Sequence, residues 1–446
     1  MIGYESTLSR GVECLLFHCD TVWRDGKQSV LLVTLAVSIS SCGGGTNSPS
    51  PPPPPTVQHA IGVRVTNGIG EFFNRQTGNS FIPRGNNYVR YAQQVFLPQM
   101  VIAQGHSTFN PGLYDQARVE TALTQMELNG YNITKVWLNY CCQNGTVGNP
   151  NGTGLSVPYV ANLVDFLNRA SAHKIYVVIT TDDLPWVGGY RDIMNQWCAQ
   201  NNACDTYVGF NLQYLTQGGI DANTKFWQDL VQALKVQQAP FEAIFAYEIR
   251  EEIYIDPTLP PLSLTSGLIT TANEQTYDMS DPAAKLKLQA DNLIHFTDLM
   301  RGSIQQLDPQ ALVAVGFFTF NDPLKIPPFP TIASSTMDFV DLHPYPGEGY
   351  TLGQAVQGWG MSGFTQKPIM MGEFGASTSS FTTEAAAAQA LHDWQVQSCT
   401  FGFDGWLVWT WDTTEQTSFV HWPAISGNGL INQSLAPANR ANACVP

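Results

Sequence analysis

The chain has 446 residues, of which 43% are hydrophobic and 13% charged. That apolar content excludes wholesale disorder and is enough for one large core or two ordinary ones. With 21 Lys and Arg against 36 Asp and Glu, a net charge of -15 and no basic cluster, the chain lacks the basic face that nucleic-acid binding needs, while few charges beside 11% aromatics suit an exported protein that handles a neutral polar ligand.

The N-terminus reads as an export signal. Arg24 and Lys27 precede an apolar run from Ser29 to Ile39. The run is shorter than the roughly 20 residues a membrane-spanning helix takes, and it fits the apolar region of a signal peptide. It ends Ile39-Ser40-Ser41-Cys42, which resembles a bacterial lipobox, where the Cys is acylated and cleavage falls just before it. An ordinary signal peptide with a chance Cys is the plainer alternative. Residues 1–42 are set aside from the fold, with the true start expected nearer Val22. Residues 43–59 hold Gly43-Gly44-Gly45 and five prolines, Pro51 to Pro55, and form a tether that is flexible and then stiff. The expectation is an exported protein, lipid-anchored at a bacterial cell surface or in the periplasm. It would touch the membrane only through that anchor, and would be a monomer. Beyond the tether, Cys141, Cys142, Cys198, Cys204, Cys399 and Cys444 are an even number in an exported domain, so disulfides are expected. Cys198 and Cys204 can close a polar loop; the other pairings stay open. No His stands at ligand spacing near any pair, so zinc is not expected, and neither is any other metal or cofactor.

Residues 60–446 read as one barrel domain. Val63 to Phe81 reads as a hairpin with Asn67-Gly68 as its turn, sealing a barrel floor. Eight strands follow at Phe81–Val89, Ile133–Tyr140, Lys174–Asp182, Glu242–Glu252, Leu312–Phe318, Asp338–Pro346, Lys367–Gly375 and Asp404–Asp412. Val, Ile, Phe and Tyr crowd most of them, as buried parallel strands require. Helical patterns lie between them at Asp115–Leu128, Tyr159–His173, Phe226–Gln237, Leu286–Leu307 and Thr383–Thr400. This alternation predicts a (β/α)8 TIM barrel with long loops, preceded by a short N-terminal β-hairpin. A doubly wound sheet is the alternative, but the Gly-rich phosphate turn that usually follows its first strand is missing.

In such barrels the chemistry sits at the C-terminal ends of the strands. Strand four ends in Glu248, Arg250, Glu251 and Glu252, strand six in His343 and Tyr345, and strand seven in Glu373 between Gly372 and Gly375. Strand eight carries Trp409 and Trp411, which period-two alternation puts on one face with Leu407. A buried carboxylate needs a partner or a cleft. Two of them on strands four and seven suit a reaction in which one attacks and the other donates a proton. The bland readings are a helix cap for Glu373, a solvated loop residue for Glu252, a structural His343 and core tryptophans. Asp182 and Asp183 end strand three, a weak metal signal without a clustered third ligand.

These residues resemble glycoside hydrolase family 5, the cellulase and β-mannanase family, over about residues 61 to 415. Phe81 to Tyr88 resembles the family's first strand, which contains Asn87; Gly130-Tyr131-Asn132 with Lys135-Val136-Trp137 resembles the second. Trp186-Val187-Gly188-Gly189-Tyr190, with Trp197 beyond, resembles the mannanase loop after strand three. Asp341 to Pro346 and Gly372-Glu373-Phe374-Gly375 resemble strands six and seven. The resemblance implies Glu373 as nucleophile and Glu252 as acid/base. His343 and Tyr345 become supports, and Trp409, Trp411, Glu251, Lys135, Trp137, Trp186 and Asn87 contact the sugar. Two positions depart from the family. Glu251 stands where it usually has Asn, and an ionised carboxylate cannot donate a hydrogen bond. Lys135 stands where it usually has Arg, keeping the charge but losing the planar fork. An ion pair between Lys135 and Glu251 would reconcile the two.

The expected activity is that of a retaining endo-type glycoside hydrolase on a β-linked polysaccharide, with β-mannan first and β-glucan second. A surface glycan-binding protein with a dead site is the alternative from another class, suggested by Glu251. Transglycosylation is a third possibility with the same residues.

Overall fold

The computed structural model describes residues 59–97, 100–141, 145–317, 331, 334–412, 420–425 and 427–445. For residues 92–97 and 100–105 only the backbone is described. The expected signal peptide, the lipobox-like Cys42 and nearly all of the expected tether lie outside the described residues, which belong to the unit Val57–Pro446.

The strands are β1 (Ile61–Thr66), β2 (Ile69–Asn74), β3 (Arg84–Asn87), β4 (Tyr91–Leu97), β5 (Met100–His106), β6 (Ile133–Leu138), β7 (Tyr176–Thr181), β8 (Ile244–Glu248), β9 (Leu268–Thr270), β10 (Thr276–Asp278), β11 (Val313–Ala314), β12 (Gly316–Phe317), β13 (Val340–Leu342), β14 (Ile369–Phe374) and β15 (Gly405–Val408). The helices are α1 (Gln116–Leu128), α2 (Val157–Ala172), α3 (Tyr190–Gln200), α4 (Phe210–Leu215), α5 (Gln217–Val236), α6 (Pro282–Leu307), α7 (Leu352–Gly358), α8 (Glu384–Cys399) and α9 (Leu430–Leu435).

Nine of the strands form one parallel sheet in the order β11-β8-β7-β6-β3-β15-β14-β13-β12. Its two ends, β11 and β12, are halves of a single segment broken at Val315: Val313 pairs with Tyr247 on one side, and Gly316 with Asp341 on the other. The sheet therefore closes on itself with eight stations in chain order, each of the eight predicted strands contributing one. This is a (β/α)8 barrel, and closure leaves it no free edge.

The hairpin ahead of the barrel forms as expected. β1 and β2 pair in antiparallel register across Asn67 and Gly68, whose φ angles are 54° and 82°. Two successive left-handed residues make the tight hairpin turn that Asn-Gly favours. Ile61 and Phe72 from this hairpin join Ile133, Val178, Phe245, Ala246, Leu312, Phe339, Met370 and Leu407 in one apolar cluster. Phe72 meets Phe245 and Phe339 at 5.1 and 5.3 Å between ring centroids. This cluster fills the barrel floor, and each fully buried large side chain in it contributes about 1.5–3 kcal/mol.

Strand alternation then stacks layers upward along the barrel axis. On β6, Ile133 lies in the floor cluster, while Val136 and Leu138 belong to the core between strands and helices. Lys135 shares the inward face with Ile133. On β7, Val178 points in and Val177 and Ile179 point out; on β8, Ala246 is in the floor and Tyr247 packs outward. Above the apolar floor, the same inward rows carry Lys135, Thr180, Glu248 and Asp341, all fully buried.

Several elements exceed the predictions. Two antiparallel hairpins, β4–β5 and β9–β10, stand in the loops after the first and fourth barrel strands. Helix α6 begins at Pro282, four residues before the predicted start, with the Asp281 side chain accepting from the Ala283 amide; an Asp cap followed by Pro is a readable start signal. Cys198 bonds Cys204 as expected, and Cys399 bonds Cys444.

Candidate active site

The site rises directly from the buried charged layer. Lys135 Nζ lies 2.8 Å from Glu248 Oε1, 3.4 Å from Asp341 Oδ2 and 3.5 Å from Glu373 Oε1, and its side chain is wholly shielded from solvent. Burial opposes its charge, but the four carboxyls of Glu248, Asp341, Glu373 and Glu251 outweigh burial and hold the ammonium well above its ordinary pKa. Thr180 Oγ1 donates to Glu248 at 2.9 Å. Burial pushes Glu248 well up despite Lys135, whereas Lys135, with hydrogen bonds from Glu248 and His343, overcomes burial and holds Asp341 below its usual range. The proton between these two carboxyls therefore rests on Glu248. Asp341 needs space, and Gly372 on the neighbouring strand supplies it: a Cβ there would lie 1.9 Å from Asp341 Oδ1.

Glu373 owes its aim to an irregularity. Simple alternation from Met370 would turn Gly372 and Phe374 inward, but the β14–β15 register shifts between Met371 and Phe374. Phe374 packs in the outer core, and Glu373 points to the barrel mouth at 3% exposure. Bulges re-aim side chains in this way near functional sites. The Tyr345 hydroxyl donates to Glu373 Oε2 at 2.6 Å. Burial would raise Glu373, but His343, Lys135 and hydrogen bonds from Tyr345 and Glu251 lower it below its ordinary value, so it is anionic.

His343 sits between the two carboxylates. Its Nδ1 is 3.0 Å from Glu252 Oε1 and 3.8 Å from Glu373 Oε2. Its Nε2 lies 3.2 Å from Lys135 Nζ and 3.8 Å from Asp341 Oδ2. Burial and Lys135 pull its pKa down; Glu373, Asp341 and Glu252 pull it up and win, reaching about 10. Glu252 is 28% exposed in its side chain, the most open of the group. One donor atom from each of Glu251, Glu252, His343 and Glu373 lies within 4.8 Å of the others. A cation could be ligated at that spacing, but Lys135 and the His343 imidazolium already neutralise the carboxylates. The expected Lys135–Glu251 ion pair does not form; Lys135 pairs with Glu248, Asp341 and Glu373.

The remaining predicted contacts divide. Trp409 stands at the mouth, its ring edge-on to Trp137 at 5.3 Å, and Trp137 stacks on His106 at 5.2 Å and 15°. Trp137 itself is 1% exposed and serves as backing for this aromatic row. Trp186 is half-buried in the loop after β7, beneath the Arg191 guanidinium at 5.5 Å. Trp411 lies in the core against Tyr131. β15 ends at Val408, so the two-residue period does not carry as far as Trp411. Asn87 is also fully buried. Its amide donates to the carbonyls of Gly372, Leu407 and Val408, tying three strands together below the cleft. Neither residue offers a surface to a sugar.

Two neighbours of the site are not marked in the sequence. His421, in the loop after β15, lies 5.7 Å from the Tyr345 ring and 6.5 Å from Trp409, with burial lowering its pKa to about 4. His106 Nε2 lies 3.4 Å from Asp182 Oδ2. Asp183, the other half of the weak metal pair, instead accepts from Arg191 and Gln213. No local pattern signals His106 or His421, since both reach the site from inserted loops.

No family model and no curated sequence matches the chain. Solved structures do. An endo-β-1,4-mannanase from Thermotoga petrophila superposes with TM-score 0.52 at 15% identity, covering 82% of this chain and 78% of that one. A glycoside hydrolase family 5 mannosidase from Rhizomucor miehei gives 0.52 at 14%, covering 85% and 99%. An exo-β-1,4-mannosidase from an Opitutaceae bacterium gives 0.55 at 14%, covering 86% of this chain and 63% of that one. The barrel described above is thus the fold of family 5 mannanases and mannosidases.

Proposed function

We propose that this protein is a retaining endo-type glycoside hydrolase that cleaves a β-linked polysaccharide, with β-mannan the first candidate and β-glucan the second. One observation carries the reading: carboxyl oxygens of Glu252, in the loop that follows β8, and Glu373, on β14, stand within 4.8 Å of each other at the mouth. Double displacement uses carboxyls about 5–5.5 Å apart, whereas inversion needs about 6.5–9.5 Å to admit a water. Glu373, anionic and held by Tyr345, attacks the anomeric carbon. Glu252, the more exposed carboxyl, protonates the departing glycosidic oxygen. Water deprotonated by Glu252 then releases the sugar from the glycosyl-enzyme. Trp409 offers a ring face for the sugar beside this pair.

The mannan preference rests on the fold shared with mannanases and on the Trp186 loop. The rest of the reading comes from the N-terminal sequence: export, a lipid anchor on Cys42, and action as a monomer at the bacterial surface or in the periplasm. The decisive experiment is product analysis after incubation with mannan, glucan and xylan, with the anomeric configuration of the first product. Short oligosaccharides of retained configuration are expected. Binding to these glycans without turnover would favour the glycan-binding alternative, and longer products would favour transglycosylation.

A further inference from the structure

We propose that Glu251 serves as a protonated hydrogen-bond donor to the nucleophile Glu373, a positioning residue whose proton must be in place for the reaction to run. This rests on the hydrolase reading above. It concerns the position where an amide would be the ordinary donor.

The Glu251 carboxyl is 15% exposed, and its Oε1 lies 3.7 Å from His343 Nδ1. It shares the 4.8 Å cluster with Glu252 and Glu373. Glu373 Oε2 accepts from Tyr345, while the buried Oε1 has the Lys135 ammonium at 3.5 Å and no hydrogen bond. Carboxyls gathered this closely cannot all stay ionised without cost, and for Glu251 to donate to Glu373 one of the two must hold a proton.

The surroundings decide which. Glu373 faces Lys135 from β6, His343 from the end of β13 and the Tyr345 hydroxyl, and these favour its anion. Glu251 faces Glu252 beside it, Glu373 on β14 and Asp182 just after β7; His343 stands about equally near Glu251 and Glu373, at 3.7 and 3.8 Å, so it favours neither, and burial with these anions outweighs Lys135 and pushes the Glu251 pKa well up. The proton therefore sits on Glu251, and Glu251 donates to Glu373. The backbone at this position is pinned on both sides. The Glu251 amide donates to the Thr181 carbonyl at 3.1 Å, and the Glu251 carbonyl sits where a Cβ on Gly316 would lie 1.7 Å away. The ionised residue would instead face Glu373 as a second anion, which raises the nucleophile's pKa and removes its donor.

The test compares pH–rate profiles of the wild type, Glu251→Gln and Glu251→Leu on one glycan. Gln is a donor at every pH. In the wild type, kcat should fall above an alkaline limb that reports loss of the Glu251 proton together with that of the acid Glu252. In Glu251→Gln that limb should move up by at least about one unit. Glu251→Leu should lose about 100-fold in kcat at every pH, the effect of removing one donor at a charged reacting group. An unmoved limb in Glu251→Gln, or a Gln variant as slow as the Leu variant, overturns the proposal. A second readout needs no turnover. The infrared spectrum of the wild type at neutral pH should contain a protonated carboxylic acid band that Glu251→Gln lacks, and retention of every such band in the variant also overturns it. A band lost from a protein that hydrolyses no glycan would refute the hydrolase reading and leave the protonated Glu251 standing.

Discussion

The Tyr345 hydroxyl donates to Glu373 Oε2 at 2.6 Å, from a strand end adjacent to the one that bears the carboxylate. This bond lowers the Glu373 pKa together with His343 and Lys135. Removing it in Tyr345→Phe raises that pKa, so protonation disarms the nucleophile at a higher pH. The acid limb of kcat/KM should therefore move upward, and kcat/KM at the optimum should drop about 10- to 100-fold, the worth of a hydrogen bond to a charged group. A pH–rate profile with an unshifted acid limb would show that the hydroxyl serves binding instead.

The two carboxyls should separate by substrate. Glu252→Ala removes the proton donor, which matters for a sugar leaving group and little for an activated aryl glycoside that leaves unaided. Glycan turnover should fall about 10²–10⁴-fold, while the first-turnover burst of activated aglycone is largely spared and later turnovers slow because Glu252 also deprotonates the water. Glu373→Ala should abolish both. Comparable losses on the two substrates in Glu252→Ala would reverse the assignment.

Lys135 is the single cation within 3.5 Å of Glu248, Asp341 and Glu373 in a shielded layer, among the described residues. Lys135→Met leaves these carboxyls uncompensated and should cost about 3–5 kcal/mol in chemical unfolding, as for any buried pair broken on one side. Adding Asp341→Asn removes one anionic partner and should recover part of that loss, which a double-mutant cycle measures. Strict additivity of the two changes would deny the coupling.

How much of this was readable from the sequence depends on how local each signal is. Asn67-Gly68 announced its hairpin because two adjacent residues carry the whole signal. Most of the eight strands announce themselves as runs of Val, Ile, Phe and Tyr. Glu373 was recognisable from its glycine neighbours, although the register shift that aims it was not, because that shift lives in the pairing with β15. The layer of Lys135, Glu248 and Asp341 was hidden because its members are brought together only by barrel closure, and in each strand alone they look like isolated polar interruptions. Trp411 departs from the alternation because the strand ends at Val408 and the chain then turns into the core.

Two glycines give a direct test of how tightly the charged layer is built. A Cβ at Gly372 would stand 1.9 Å from Asp341 Oδ1 and 2.0 Å from Oδ2, and neither the buried carboxylate nor the strand pairing around it has room to move. Displacing Asp341 would also weaken its pairing with Lys135 and His343, so overpacking and loss of an ion pair act together. Gly302, inside helix α6 and exposed, has nothing within 4 Å of the corresponding position. There the added methyl only reduces backbone freedom, which favours a helix by roughly 0.5–1 kcal/mol. Thermal melts should therefore move in opposite directions, with Gly302→Ala equal to or above the wild type and Gly372→Ala either well below it or not recovered folded. A Gly372→Ala protein that melts with the wild type would mean that Asp341 can vacate its place, and the buried layer would then not fix the nucleophile from beneath.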